Sequence, residues 1–158
     1  MIFLTVLLFL IQPGTLQGVQ SDNEINWVSL EEAQTRSAED GKPVFVFVEA
    51  EWCGICKEMR RSVFPNDEVK SFLEEKYHMV SIDLDSRKEV QFNKQLITER
   101  QFARSMGVEA TPTLIFLDSN GEELGRRPGY LGRTDMKRLL EFILSDKFGV
   151  ISFEEYQG

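Results

Sequence analysis

The chain has 158 residues, enough for one domain with a core of its own. Hydrophobic residues make up 42% and charged ones 28%, as in a globular protein, and a net charge of -8 disfavours a nucleic-acid partner, because phosphate binding needs a basic face. Two cysteines are too few for a disulfide scaffold or a four-thiolate zinc site, and a single histidine, His78, excludes a Cys2His2 site and a Cys–His catalytic pair.

Residues 1–21 differ from the rest: Met1 to Ile11 is almost purely apolar, Pro13 and Gly14 interrupt it, and the first charged side chain is Asp22. An apolar run of about ten residues is too short to span a bilayer but suits the central region of a signal peptide. Leu16-Gln17-Gly18 or Val19-Gln20-Ser21 would offer a small residue for cleavage, although no Lys or Arg precedes the run. An uncleaved hydrophobic anchor is the alternative. The expectation is an exported protein, periplasmic or secreted, with no stable membrane span once mature. Residues 22–148 then form the domain and 149–158 a C-terminal tail.

Ser29-Leu30-Glu31-Glu32 has the form of a capping box, with Glu32 reaching back, and opens a helix whose apolar stripe is Leu30, Ala33 and Ala38. Gly41 is placed to end it. Val44 to Val48 is continuously apolar and largely β-branched, the pattern of a central strand buried on both faces. A helix from about Cys53 to Val63 follows, then a break at Phe64-Pro65-Asn66 and a second helical piece over Asp67 to Lys76. Met79 to Asp85 alternates as a strand; Ser86 to Gln95 is polar and predicts no definite conformation. Thr98-Glu99-Arg100-Gln101 is a second capping box, before a helix carrying Phe102, Ala103 and Met106 that stops at Gly107. Leu114 to Leu117 is another buried strand. Asp118-Ser119-Asn120-Gly121 predicts a turn that returns Glu122 to Arg127 antiparallel. Thr134 to Phe148 is an amphipathic helix with Met136, Leu139, Leu140, Ile143 and Leu144 on its apolar side. Strands joined by helices and closed by a hairpin predict an α/β domain, one mixed central sheet with helices on both faces.

Trp52-Cys53-Gly54-Ile55-Cys56 sits between the buried strand and its following helix. Backbone N–H groups and the helix dipole at a helix start favour a thiolate at Cys53, and Cys56 lies close enough to resolve a mixed disulfide. Lys57, Arg60 and Arg61 add to that effect while Glu49, Glu51 and Glu58 oppose it, so a moderately lowered thiol pKa is expected. An inert staple is the competing reading, but a bond closing a two-residue gap contributes little loop entropy. Metal capture would need ligands from elsewhere, and no metal or other cofactor is expected.

These residues resemble the thioredoxin family over roughly Trp27 to Phe148. The WCxxC at a strand–helix junction, Thr111-Pro112-Thr113 before an apolar strand, the Asn120-Gly121 turn and Gly129 before the last helix fall in thioredoxin order. Glu99 to Val108 and Pro128-Gly129-Tyr130 are most similar to exported proteins of the SoxW and thioredoxin-related type. The resemblance implies a thioredoxin fold, thiol–disulfide exchange with protein disulfides, and a membrane thiol transporter as electron donor. It also implies a cis Thr111–Pro112 bond against the CxxC, with substrate pairing to the backbone around Thr111. A trans proline merely starting a strand is the alternative. Trp52 would shield the site and contact substrate, or simply pack. Gly54 would let the partner backbone approach, and Ile55 would set local geometry.

The pattern departs from the family in three places. Phe47 stands where a buried Asp is usual six residues before the first cysteine, Ser81 where its Lys partner is usual, and Ile55 where Pro is usual. The family's proton relay therefore does not carry over. Glu49, four residues before Cys53 and on the same strand face as Phe47, is a candidate proton acceptor; a solvated residue at the strand end is the alternative. A reductase is the leading expectation. A disulfide oxidant of the DsbA kind would be expected to carry a large helical insertion, absent between Asp85 and Thr111, and a non-catalytic binding or chaperone module would not require an intact WCGIC. His78 is expected at the surface or as a cap, Arg126-Arg127 as a solvated strand end. The tail, with Val150, Ile151, Phe153 and Tyr156, either docks on the domain or pairs with a partner.

Overall fold

Strand β1, Val44–Glu49, is buried at every position through Val48, and this determines the rest of the architecture. In a computed structural model the chain is described over residues 24–158, so the leader expected at 1–21 lies outside the described residues. β1 pairs in parallel with β2, His78–Asp83, and antiparallel with β5, Thr113–Leu117, which pairs antiparallel with β6, Glu123–Pro128. The sheet order is β2-β1-β5-β6. Side-chain alternation sends Phe45, Phe47, Leu114 and Phe116 into one core layer and Val44, Val46, Val48, Ile115 and Leu117 into the other. The first layer is closed by α2 (Gly54–Glu58), α3 (Asp67–Lys76) and α5 (Arg133–Leu144), the second by α1 (Leu30–Asp40) and α4 (Glu99–Ser105). This is the mixed α/β sheet with helices on both faces that the pattern predicts.

Local chemistry explains the helix ends. Ser29 Oγ accepts the Glu32 N–H at 3.1 Å and Gly41 closes α1 at φ 76°, but Glu32 pairs with Arg36 instead of completing a capping box. Ala38 is exposed; Ser37 takes the buried position, its hydroxyl satisfied by the Lys42 carbonyl. The Thr98 box is complete, with Gln101 and Thr98 each bonding the other's backbone. The active-site helix is not uniform: after Glu58 the chain widens into a π-helical turn over Met59–Val63, with the Phe64 N–H donating to the Met59 carbonyl at 3.0 Å. Helix α5 stops at Leu144, which is exposed, instead of continuing to Phe148.

Ser86 to Gln95 contributes to a small hairpin, β3 (Glu89–Phe92) with β4 (Gln95–Thr98), apart from the main sheet. Asn93 and Lys94 both have positive φ, 48° and 65°, so the two-residue turn matches the strand twist without a glycine. Gln34 of α1 holds Asn93 through two hydrogen bonds, and at Gly121, φ 80°, a Cβ would meet Asn93 Oδ1 at 2.6 Å. The hairpin tip, α1 and the β5–β6 turn thus lock together.

His78 is buried, with Nε2 3.0 Å from Asp40 Oδ1, not at the surface. Of the two fates open to the tail, docking is observed. Phe148, Phe153 and Tyr156 surround Phe142 with ring centroids 5.1–5.9 Å away, and the Arg138 guanidinium lies 4.4 Å over the Phe153 ring. Arg127 is held between Glu154 and Phe153 and is not simply solvated.

Candidate functional site

The chain leaves β1 at Glu49 and turns through Ala50, whose carbonyl accepts the Cys53 N–H at 2.9 Å. Cys53 is the N-cap of α2: its backbone is extended, and its Sγ accepts the Cys56 N–H at 3.1 Å. Cys53 and Cys56 form a disulfide with an S–S distance of 2.02 Å and Cα atoms 5.2 Å apart. The two sulfurs are unequally placed, Cys53 being 5% exposed and Cys56 0%. A sulfur that receives a helix N-terminal N–H is stabilised as a thiolate once the bond is reduced. Only Cys53 combines that position with access.

Its apolar neighbours in the chain are open to solvent: Ile55 is 54% exposed and Trp52 68%, so Trp52 does not pack in the core. Its indole is nonetheless fixed, Nε1 donating to Asp85 Oδ2 at 2.7 Å, while the Asp85 N–H donates to Asp83 Oδ1. Gly54 is exposed, with open space where a Cβ would stand.

The Thr111–Pro112 peptide is cis, and Pro112 is buried. The β1–β5 register ends with Val48 opposite Thr113, so Pro112 lies just beyond the pairing, at the end of the sheet where β1 leads to Cys53. The Gly129 N–H donates to the Pro112 carbonyl at 2.8 Å, which brings Pro128-Gly129-Tyr130 beside it. Thr111 Oγ1 is buried without a hydrogen-bond partner among the described residues.

Phe47 pairs with Ser81 across β1 and β2, as the sequence positions suggest, but Phe47 belongs to an aromatic cluster with Trp27 at 6.1 Å and Phe64 at 4.9 Å. The charge lies two residues along. Arg60 Nε donates to both carboxylate oxygens of Glu49, at 3.0 and 2.8 Å, and its Nη2 reaches Glu49 and Ser81 Oγ. Ser81 in turn donates to Glu49 at 2.6 Å. Glu49 is therefore neither freely solvated nor unpaired. Burial opposes its charge, but the hydrogen bonds from Arg60 and Ser81, with the Arg60 charge, outweigh that and hold its carboxyl below the ordinary 4.5. The sequence places Arg60 among the cations near Cys53 but carries no sign of its pairing with Glu49, and Asp85 is not marked as a site residue.

The pair makes a pH prediction. A depressed folded pKa means that Glu49 contributes stability fully above pH 4.5 and loses it as pH falls through the lower folded value. Urea unfolding at several values below neutrality will show wild type losing stability on acidification more steeply than Glu49→Gln. Equal slopes would mean that the pair contributes nothing.

A strand–CxxC–helix junction with a cis-proline at the same end of a sheet ordered β2-β1-β5-β6 defines a thioredoxin-like protein. The chain belongs to the thioredoxin-like domain family, which it matches over residues 30–144. It is similar to the disulfide bond reductase DsbH of Chlamydia pneumoniae, 30% identical over 103 residues covering 65% of this chain and 61% of that one. It is also similar to the thiol:disulfide interchange protein DsbD of Photorhabdus laumondii, 25% identical over 138 residues, 82% of this chain and 22% of that one. The chain thus spans only part of the length of these relatives. Among solved structures, a thioredoxin from Thermus thermophilus superposes with a TM-score of 0.65 at 25% identity, covering 80% of this chain and 92% of that one. No helix among the described residues is long and apolar enough to cross a membrane.

Proposed function

We propose that the protein is an exported thiol–disulfide oxidoreductase that reduces protein disulfides through Cys53 and Cys56. The observation that carries this is the placement of the pair: Cys53 at a helix N-cap beneath an exposed apolar rim, Cys56 fully buried behind it. The Cys53 thiolate attacks one sulfur of a substrate disulfide, and the other leaves as a thiolate. Cys56 then attacks Cys53 Sγ, expels the second substrate thiolate and closes the disulfide, so two electrons pass to the substrate. Trp52, Gly54 and Ile55 form the contact rim, the backbone around Thr111 pairs with the extended substrate segment, and Pro112 lies against it. Glu49 is ionised at neutral pH, the form from which a proton acceptor starts, but Arg60 makes it a weak base. A membrane thiol transporter of DsbD-like chemistry would return the electrons. The apolar leader and the SoxW-type resemblance support export.

The test is the reduction potential of the Cys53–Cys56 couple, by equilibration against a defined thiol buffer. A value near about -270 mV, as in thioredoxin, is expected; one near about -120 mV would mark a disulfide donor instead.

A further inference from the structure

Arg60 lies one turn beyond Cys56, on the side of the helix that carries Cys56 inward, and Glu49 closes the strand that leads to Cys53. Their ion pair therefore brackets the short stretch containing both cysteines and joins the active-site helix to β1, with Ser81 of β2 as third member. The surroundings are largely carbon: the Arg60 guanidinium lies 4.8 Å from the Trp27 ring centroid and 5.5 Å from that of Phe47. The Glu49 side chain is 18% exposed and that of Arg60 34%. Charges shielded from water in this way act over longer distances than surface charges. The other nearby charges are more open to solvent or engaged elsewhere. Glu51 and Lys57 are exposed, Glu58 pairs with Arg61, and Asp85 holds Trp52. Asp83 receives the Asp85 N–H, and Glu24 lines the small cleft through which Arg60 meets solvent.

We infer that Glu49 and Arg60 act on the dithiol–disulfide equilibrium of Cys53 and Cys56 in opposite directions and hold each other's effect in check, as positioning groups, not as reactants. This rests on Cys53–Cys56 being an exchanging couple. Reduction adds two electrons and two protons to the disulfide, and at neutral pH part of the Cys53 sulfur gives up its proton to become a thiolate. A nearby cation stabilises that thiolate and with it the reduced form; a nearby anion does the reverse. In wild type the pair is balanced. Arg60→Gln leaves the Glu49 charge uncompensated and makes the couple more reducing. Glu49→Gln leaves the Arg60 charge uncompensated and makes it more oxidising. The double variant carries neither charge and returns toward wild type.

The full chain, the two single variants, the double variant and Arg60→Lys are equilibrated against reduced and oxidised glutathione at neutral pH. The thiolate is followed in parallel by its ultraviolet absorbance. Glu49→Gln is expected to displace the equilibrium constant toward the dithiol by roughly 3- to 10-fold and Arg60→Gln to displace it the other way by a smaller factor, since only the thiolate already present can be lost, with the double variant and Arg60→Lys between the two. Single variants that shift the same way, or not at all, or a double variant that shifts furthest, overturn the inference and leave the pair a structural clamp. A wild-type chain that forms no reversible couple overturns the oxidoreductase reading itself, and that result is visible without any variant.

Discussion

Replacing Cys53 by serine will abolish disulfide exchange, a loss on the order of a thousand-fold or more, whereas Cys56→Ser will accumulate a mixed disulfide with its substrate. Two features separate the cysteines. Cys53 alone occupies the helix N-cap, where its sulfur faces the first free N–H groups of α2, and it borders the exposed rim of Trp52 and Ile55. Cys56 is wholly buried one turn further in, so a bulky substrate disulfide cannot approach it, yet it lies within bonding distance of Cys53. Attack and resolution are thereby assigned by access. The measurement is non-reducing electrophoresis of each variant after incubation with a disulfide-containing protein. A covalent adduct from Cys53→Ser and none from Cys56→Ser would reverse the assignment.

The elements legible in the sequence are those whose own residues encode their surroundings. Val44 to Val48 could only be a strand with two buried faces, and Asp118 to Gly121 could only be a turn, because the composition leaves no other economical placement. The cysteine pair was legible for the same reason, since two residues of spacing at a strand–helix junction bring two sulfurs together without help from the rest of the fold. The features not legible there depend on partners far along the chain. The β3–β4 hairpin has half-exposed strands and a turn of Asn93 and Lys94, and it is held by Gln34, 59 residues away from Asn93. His78 is buried because Asp40, 38 residues earlier, receives it. Ser37, not Ala38, faces the core because the Lys42 carbonyl satisfies its hydroxyl. The Glu49–Arg60–Ser81 network joins three elements, and none of its members carries a local signature of pairing. A buried polar group reveals itself only with its partner.

Phe47→Asp, which restores the residue usual at this position in thioredoxins, is expected to destabilise the fold by about 4 kcal/mol or more, at least as much as Phe47→Ala. Phe47 is fully buried, packs edge-on against Phe64 at 4.9 Å, and lies alongside Trp27. Removing the ring opens a cavity between β1 and the active-site helix, a cost of about 3–5 kcal/mol for Phe→Ala in a core. A carboxyl in that cavity must also be desolvated or protonated, and its natural cation is already engaged: Arg60 holds Glu49 through both oxygens. Opposite it on β2 stands Ser81, whose hydroxyl is likewise committed to Glu49. The family's buried charge has thus been exchanged for an aromatic cluster, and the charge moved two residues toward the strand end with a new partner from the helix. Denaturant unfolding of the two variants checks this. If Phe47→Asp proves less than about 1 kcal/mol destabilised, Arg60 has turned from Glu49 to the new carboxylate, and the double substitution Phe47→Asp with Glu49→Gln will then be more stable than Phe47→Asp alone.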